Sequence, residues 1–157
     1  MHGANITNVE VVKLHSFDLD RFIKAQNDKC EGYDSALSEI RQGRKQGHWI
    51  WYIFPQLKNL GRSSTAQFYG IDGIAEARAY LDEPVLRERL IEISQALLEI
   101  DETNPVKVLG HTDAMKVKSS MTLFLAADPK IDVFNQVLNK FYEGKLDALT
   151  TDIIGKV

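Results

Sequence analysis

The sequence predicts an all-α fold, a compact single-domain multi-helical bundle with one long central helix. Three observations carry the prediction. Apolar residues recur at helical spacing, most cleanly as Leu86, Leu90, Ile93 and Leu97. The periodic segments are separated by Gly and Pro, the residues that stop or open helices. One stretch, Trp49 to Phe54, has strand-like composition, and only Val9 to Leu14 is long enough to pair with it.

Residues 1 to 16 carry no sustained apolar period and are expected to form a mobile arm, with residues 17 to 157 as the single helical domain. Leu19, Phe22, Ile23 and Gln26 share one helical face; Tyr33, Ala36, Leu37 and Ile40 share another, stopped by Gly43. Asp72 or Gly73 opens a third helix ending near Leu81, and Pro84 stands at the first turn of a helix to about Ile100, expected to be the longest. Asn104-Pro105 opens a short turn closed by Gly110. Thr112 then caps a helix to Ala127, where Asp128-Pro129 breaks the chain before Ile131 to Tyr142 and, after Gly144, Leu146 to Ile154. Six to nine helices result.

The stretch Arg44-Lys45-Gln46-Gly47-His48-Trp49-Ile50-Trp51-Tyr52-Ile53-Phe54-Pro55-Gln56 holds both tryptophans of the chain. So much aromatic surface with a Lys, a His and a Gln among it points to a hydrophobic centre with polar groups built in. A short buried helix or an extended connector is preferred over an unpartnered strand. Pro55 forces Phe54 out of the helical region, so the chain turns at Gln56.

A chain of 157 residues with 44% hydrophobic and 26% charged residues has the composition of one globular domain. The single cysteine, Cys30, excludes an intramolecular disulfide, and the start lacks the basic and apolar regions of a secretory signal, so a reducing cytoplasm is the expected compartment. No apolar run approaches the roughly 20 residues needed to cross a bilayer, so no membrane partner is expected. The net charge of −3 disfavours nucleic acid, although Arg41, Arg44, Lys45 and His48 form a local basic patch. With no His-x-x-x-His or Cys-x-x-Cys spacing, no metal and no cofactor is expected.

The run Lys45 to Gln56, then Leu60-Gly61-Arg62-Ser63 and Lys116-Val117-Lys118-Ser119-Ser120-Met121-Thr122-Leu123-Phe124, closely resembles an uncharacterised bacterial family, domain of unknown function 1810, some members of which carry a calpastatin label. The resemblance runs from Phe17 to about Tyr142 and includes Asp18-Leu19-Asp20-Arg21-Phe22, Tyr69, Glu76-Ala77-Arg78-Ala79-Tyr80-Leu81 and Arg89-Leu90. It implies an all-helical single domain and no assigned activity. Two local departures stand out: Gln46-Gly47, where the family often has a basic residue and Ser, and Arg87, where it often has Gly.

The candidate ligand-binding residues are Lys45, His48, Trp49, Trp51, Gln56, Ser63, Arg89, Asp113, Lys116, Ser119 and Ser120. On a helical wheel Asp113, Lys116 and Ser120 share the core-facing arc with Val117 and Phe124, while Lys118, Ser119 and Thr122 turn away. Asp113 and Lys116 then form either a structural ion pair or part of a site. Lys-x-x-Ser reverses the order of known acyl enzymes, so a serine nucleophile is disfavoured. An anion site from Lys116, the Ser hydroxyls, Arg62 or Arg89 and amides near Ser63-Ser64 is better supported, although Ser63 or Ser64 also makes an ordinary N-cap. His48 is read first as a core histidine bonded to a carbonyl. Trp49 and Trp51 are either core or a stacking platform for a flat ligand.

Two functions remain open. In the first, the aromatic stretch and the Asp113 to Ser120 segment face each other across a pocket for a small anionic, nucleotide-like ligand, with hydrolytic acid/base work available. In the second, the polar residues tie helices together and the protein is a non-enzymatic interaction or scaffold domain. Convergence of Lys45, His48, Gln56, Asp113, Lys116 and Ser120 on one concave surface separates them.

Overall fold

The computed structural model describes residues 16–155, and residues 1–15 of the expected N-terminal arm, with Val9 to Leu14, lie outside them. The described residues form ten α-helices and no strand. In chain order they are α1 (Asp20–Gln26), α2 (Tyr33–Arg41), α3 (Ile50–Ile53), α4 (Ser64–Tyr69), α5 (Gly73–Asp82), α6 (Pro84–Glu99), α7 (Pro105–Leu109), α8 (His111–Ala127), α9 (Val133–Tyr142) and α10 (Ala148–Ile154). A 3₁₀ turn at Lys58–Leu60 precedes α4. The tenth helix, one beyond the expected range, comes from the single-turn α3.

Local chemistry explains most boundaries. Glu83 and Asn104 cap α6 and α7, each just before a first-turn proline, by accepting from the backbone amides of Leu86 and Val106 at 2.8 and 3.0 Å. Gly110, at φ +84°, makes the sharp corner between α7 and α8. That corner starts α8 at His111 with no side-chain cap, so the expected cap at Thr112 is instead a first-turn residue. The same early start makes α8 the longest helix at 17 residues, against 16 for α6. Ile131 and Leu146 precede rather than begin α9 and α10, because Asp128-Pro129 and Gly144 each need a further turn to redirect the chain.

The core forms around α8, which packs against α5, α7, α9 and α10, while α6 packs against α2, α5 and α9. Phe22, Ile40, Trp49, Tyr80, Phe124 and Phe134 are completely enclosed. Because α8 is covered on several sides, Ser119 and Thr122 are buried rather than turned outward as the helical wheel implied. Their hydroxyls donate to the Met115 and Lys118 carbonyls one turn back, at 3.1 and 2.8 Å, which lets small polar residues face a packed neighbour.

Buried polar ties fix the remaining elements. Arg21 on α1 meets the enclosed Glu76 of α5 at 2.9 Å and donates to the carbonyls of Phe68 and Gly70, pinning α4 between them. Lys140 on α9 donates to the carbonyls of Leu97, Leu98 and Ile100, satisfying the C-terminal end of α6.

Candidate functional site

The aromatic stretch is organised by one carboxylate. Glu39, on the last turn of α2, accepts from the amides of Gln46 and Gly47 at 2.7 and 2.8 Å and from the indole N–H of Trp49 at 2.9 Å. Burial raises the Glu39 carboxyl, but those donors and the nearby Lys45 charge outweigh it, and the group ionises below its ordinary range. Trp49 thereby becomes core, and α3 follows as a short buried helix, after which Phe54 leaves helical geometry before Pro55. Gln56 then pairs with Ile71: its carbonyl accepts from the Ile71 amide at 2.9 Å, beside the isolated parallel bridge Leu57 to Ile71.

Lys45 extends from this loop to α8 and ion-pairs with Asp113 at 2.9 Å, its ammonium over the Trp49 ring. Only 8% of the Lys45 side chain is exposed. Lys116, read from sequence as the partner of Asp113, lies 3.9 Å from it and over the Trp51 ring at 5.0 Å. The expected pair therefore exists as the weaker of two contacts, because a loop distant in sequence supplies the better cation. Lys116 is thus a partly exposed ammonium whose carboxylate is already engaged.

Lys116 lines an open groove of about 240 Å³ between α8, α10 and the 3₁₀ turn, together with Gln56, Leu60, Met115, Ser119, Asp147 and Leu149. His111 and Thr112 complete the rim. Asp147 caps α10 by accepting from the Thr150 amide and hydroxyl at 3.0 and 2.6 Å, and its own amide donates to Thr122 at 2.9 Å. Met115 and Leu149 stand 58% and 64% exposed beside the groove. Leu146 and Ile153 are exposed as well, so four of the seven exposed large hydrophobics of the described residues lie on or beside α10. A second, larger hollow of about 400 Å³, lined mainly by Leu125, Ala126, Pro129, Leu146 and Ile154, runs along the other side of α10.

Of the sequence candidates, Gln56, Lys116 and Ser119 meet at this groove. Lys45 and Asp113 satisfy each other beneath it. Trp51 lines a small depression with Gln56 and Tyr69, and Lys116 lies over its ring. The remaining five are elsewhere, Trp49 among them in the core. His48 is exposed rather than a core histidine, because the Glu39-anchored loop turns it outward. Ser63 is the N-cap of α4, accepting from the Ala66 amide at 3.1 Å. Arg89 ties α6 to α1 through Gln26 at 3.2 Å and Asn27 at 2.9 Å. Ser120 is fully enclosed, its hydroxyl without a hydrogen-bond partner among the described residues. Met115, Leu149 and Asp147 were missed; the one available signal was apolar residues at outward positions of a short terminal helix.

A family model described as protein of unknown function (DUF1810) matches residues 16–154. No curated protein matches the chain. Among solved structures, the crystal structure of the conserved hypothetical protein Rv1873 from Mycobacterium tuberculosis at 1.38 Å is 40% identical, matches over 88% of this chain and 96% of its own, and superposes with a TM-score of 0.84.

Proposed function

The chain belongs to the DUF1810 family, and from the groove beside α10 we propose that the protein is a binding domain for an apolar group that carries a negative charge. One observation carries the reading. Lys116 is left 3.9 Å from a carboxylate that Lys45 already holds at 2.9 Å, and its neighbours on the groove wall are the exposed Met115 and Leu149. An anion reaching Lys116 gains a charge-assisted contact without breaking a tight ion pair, and its apolar part covers Met115, Leu60 and Leu149. Gln56 offers both a donor and an acceptor at the same wall.

The reading is of binding rather than catalysis. The groove pairs no nucleophile with a base among its described lining: the Ser119 hydroxyl donates to a helix carbonyl, and Asp147 is occupied as a helix cap. A nucleobase is also disfavoured, since Lys116 lies over the Trp51 ring that would have to stack it. The occupant is either a small amphipathic anion or an acidic residue on an apolar segment of a partner.

Anilinonaphthalene sulfonate, an apolar ring system bearing one sulfonate, has the required chemistry and reports binding by its own fluorescence. Saturable enhancement with wild type is expected. Lys116→Met and Leu149→Asp should each weaken binding at least about tenfold, roughly 1.4 kcal/mol. Absence of binding, or equal binding to both variants, overturns the reading.

A further inference from the structure

We infer that the partner of this groove is the α10 helix of a second copy of the chain, docked antiparallel across a two-fold axis. The inference rests on the proposed preference of the groove for an apolar segment with one negative charge, and it names that segment. On α10, Leu149, Asp152 and Ile153 occupy positions i, i+3 and i+4 and therefore share one face. All three are exposed, so the outward face of this short helix is a carboxylate set between two large aliphatic side chains. It offers the chemistry the groove accepts.

The register agrees with a closed pair. The groove lies at the N-terminal turn of α10, where Asp147 and Leu149 contribute to its wall. In an antiparallel pair with its axis near Thr151, the C-terminal half of the second α10 lies over the N-terminal half of the first. Asp152 and Ile153 of the copy then sit over Leu149 and the groove, and Asp152 faces Lys116. The same two contacts recur on the other side of the axis, as an isologous interface requires. Asp147 is the groove's own carboxylate, and one of its oxygens is engaged by the Thr150 amide and hydroxyl. His111 and Lys116 are the groups on the rim that favour that charge.

A seven-residue helix with a few flanking apolar side chains is small beside the roughly 1,200 Å² of a standard interface, so the dimer is weak, and concentrations from about 1 μM to about 1 mM bracket it. Sedimentation of the full chain across that range tests it. Wild type should shift from monomer to dimer. Lys116→Glu and Asp152→Lys should each weaken self-association at least tenfold, because each places like charges opposite one another at both symmetric contacts. An equimolar mixture of the two variants should dimerise again, because both contacts then pair opposite charges. Circular dichroism checks that each variant is folded, and Leu149→Asp replaces either one that is not. Wild type that stays monomeric overturns the inference, as does a dimer indifferent to both substitutions or a mixture that fails to re-associate. The dye measurement is independent: dye binding by a strictly monomeric protein would retain the groove as a binding site and remove only the second copy as its occupant.

Discussion

Asp113 has two lysines within reach and uses them unequally. Lys45, mostly buried, holds it at 2.9 Å, whereas Lys116 stands at 3.9 Å with its ammonium against Trp51. Removing one partner of a buried pair leaves an uncompensated charge. Lys45→Met is therefore expected to cost about 3 kcal/mol, while Lys116→Met stays within about 0.5 kcal/mol of wild type, both read from urea unfolding. Equal losses in the two variants would show that the charge is shared. Sequence made Lys116 legible as a partner because the i, i+3 spacing lies within one helix. Lys45 was legible only as a charged residue in an aromatic stretch, since its pairing depends on how the Glu39-anchored loop meets α8. Arg21 and Glu76 escaped notice for the same reason: each belongs to a motif of the family, but neither motif reveals that they pair.

The helices were legible to the extent that each has one buried face. The Tyr33, Ala36, Leu37 and Ile40 face of α2 and the aliphatic stripe of α6 are buried as the period requires. Helix α8 was misread at Ser119 and Thr122 because a helix enclosed by neighbours has no solvent side for periodicity to mark. Helix α10 poses the reverse problem, with apolar residues outward and Thr150 inward, which a rule matching apolar with buried cannot place. The corner between α7 and α8 belongs to this scale too. A Cβ at Gly110 would meet no atom within 4 Å, yet the backbone there has φ +84°. Gly110→Ala is therefore a test of backbone strain alone, expected to lower stability by about 1 to 3 kcal/mol in a thermal melt. An unchanged melting temperature would mean that the corner relaxes without cost.

Across the whole molecule four phenols, those of Tyr33, Tyr52, Tyr80 and Tyr142, share one property. Burial pushes the Tyr52 hydroxyl up to about 12, with the Glu31 carboxylate adding to the effect. Burial likewise raises Tyr33, Tyr80 and Tyr142, and Glu92 adds to the first of these. A phenol held above its ordinary value near 10 keeps its proton in the folded chain after the unfolded chain has released it. The unfolded state then binds fewer protons, so stability that is fully present below about pH 10 falls as pH rises toward 12. Melting temperatures should decline steeply over that window, with tyrosinate absorbance appearing together with loss of helix; ionisation of these phenols without unfolding would contradict the burial. The two tryptophans divide differently. Each ring has a lysine over it, but the Trp49 indole is enclosed and bonded to a carboxylate, whereas Trp51 is partly exposed, next to the groove. The chain therefore carries two intrinsic optical reporters in separate surroundings. Emission from Trp49 follows the integrity of the interior, and collisional quenching of Trp51 follows access to the surface beside Lys116. Occupancy of that surface is readable without any attached label, before its natural occupant is known.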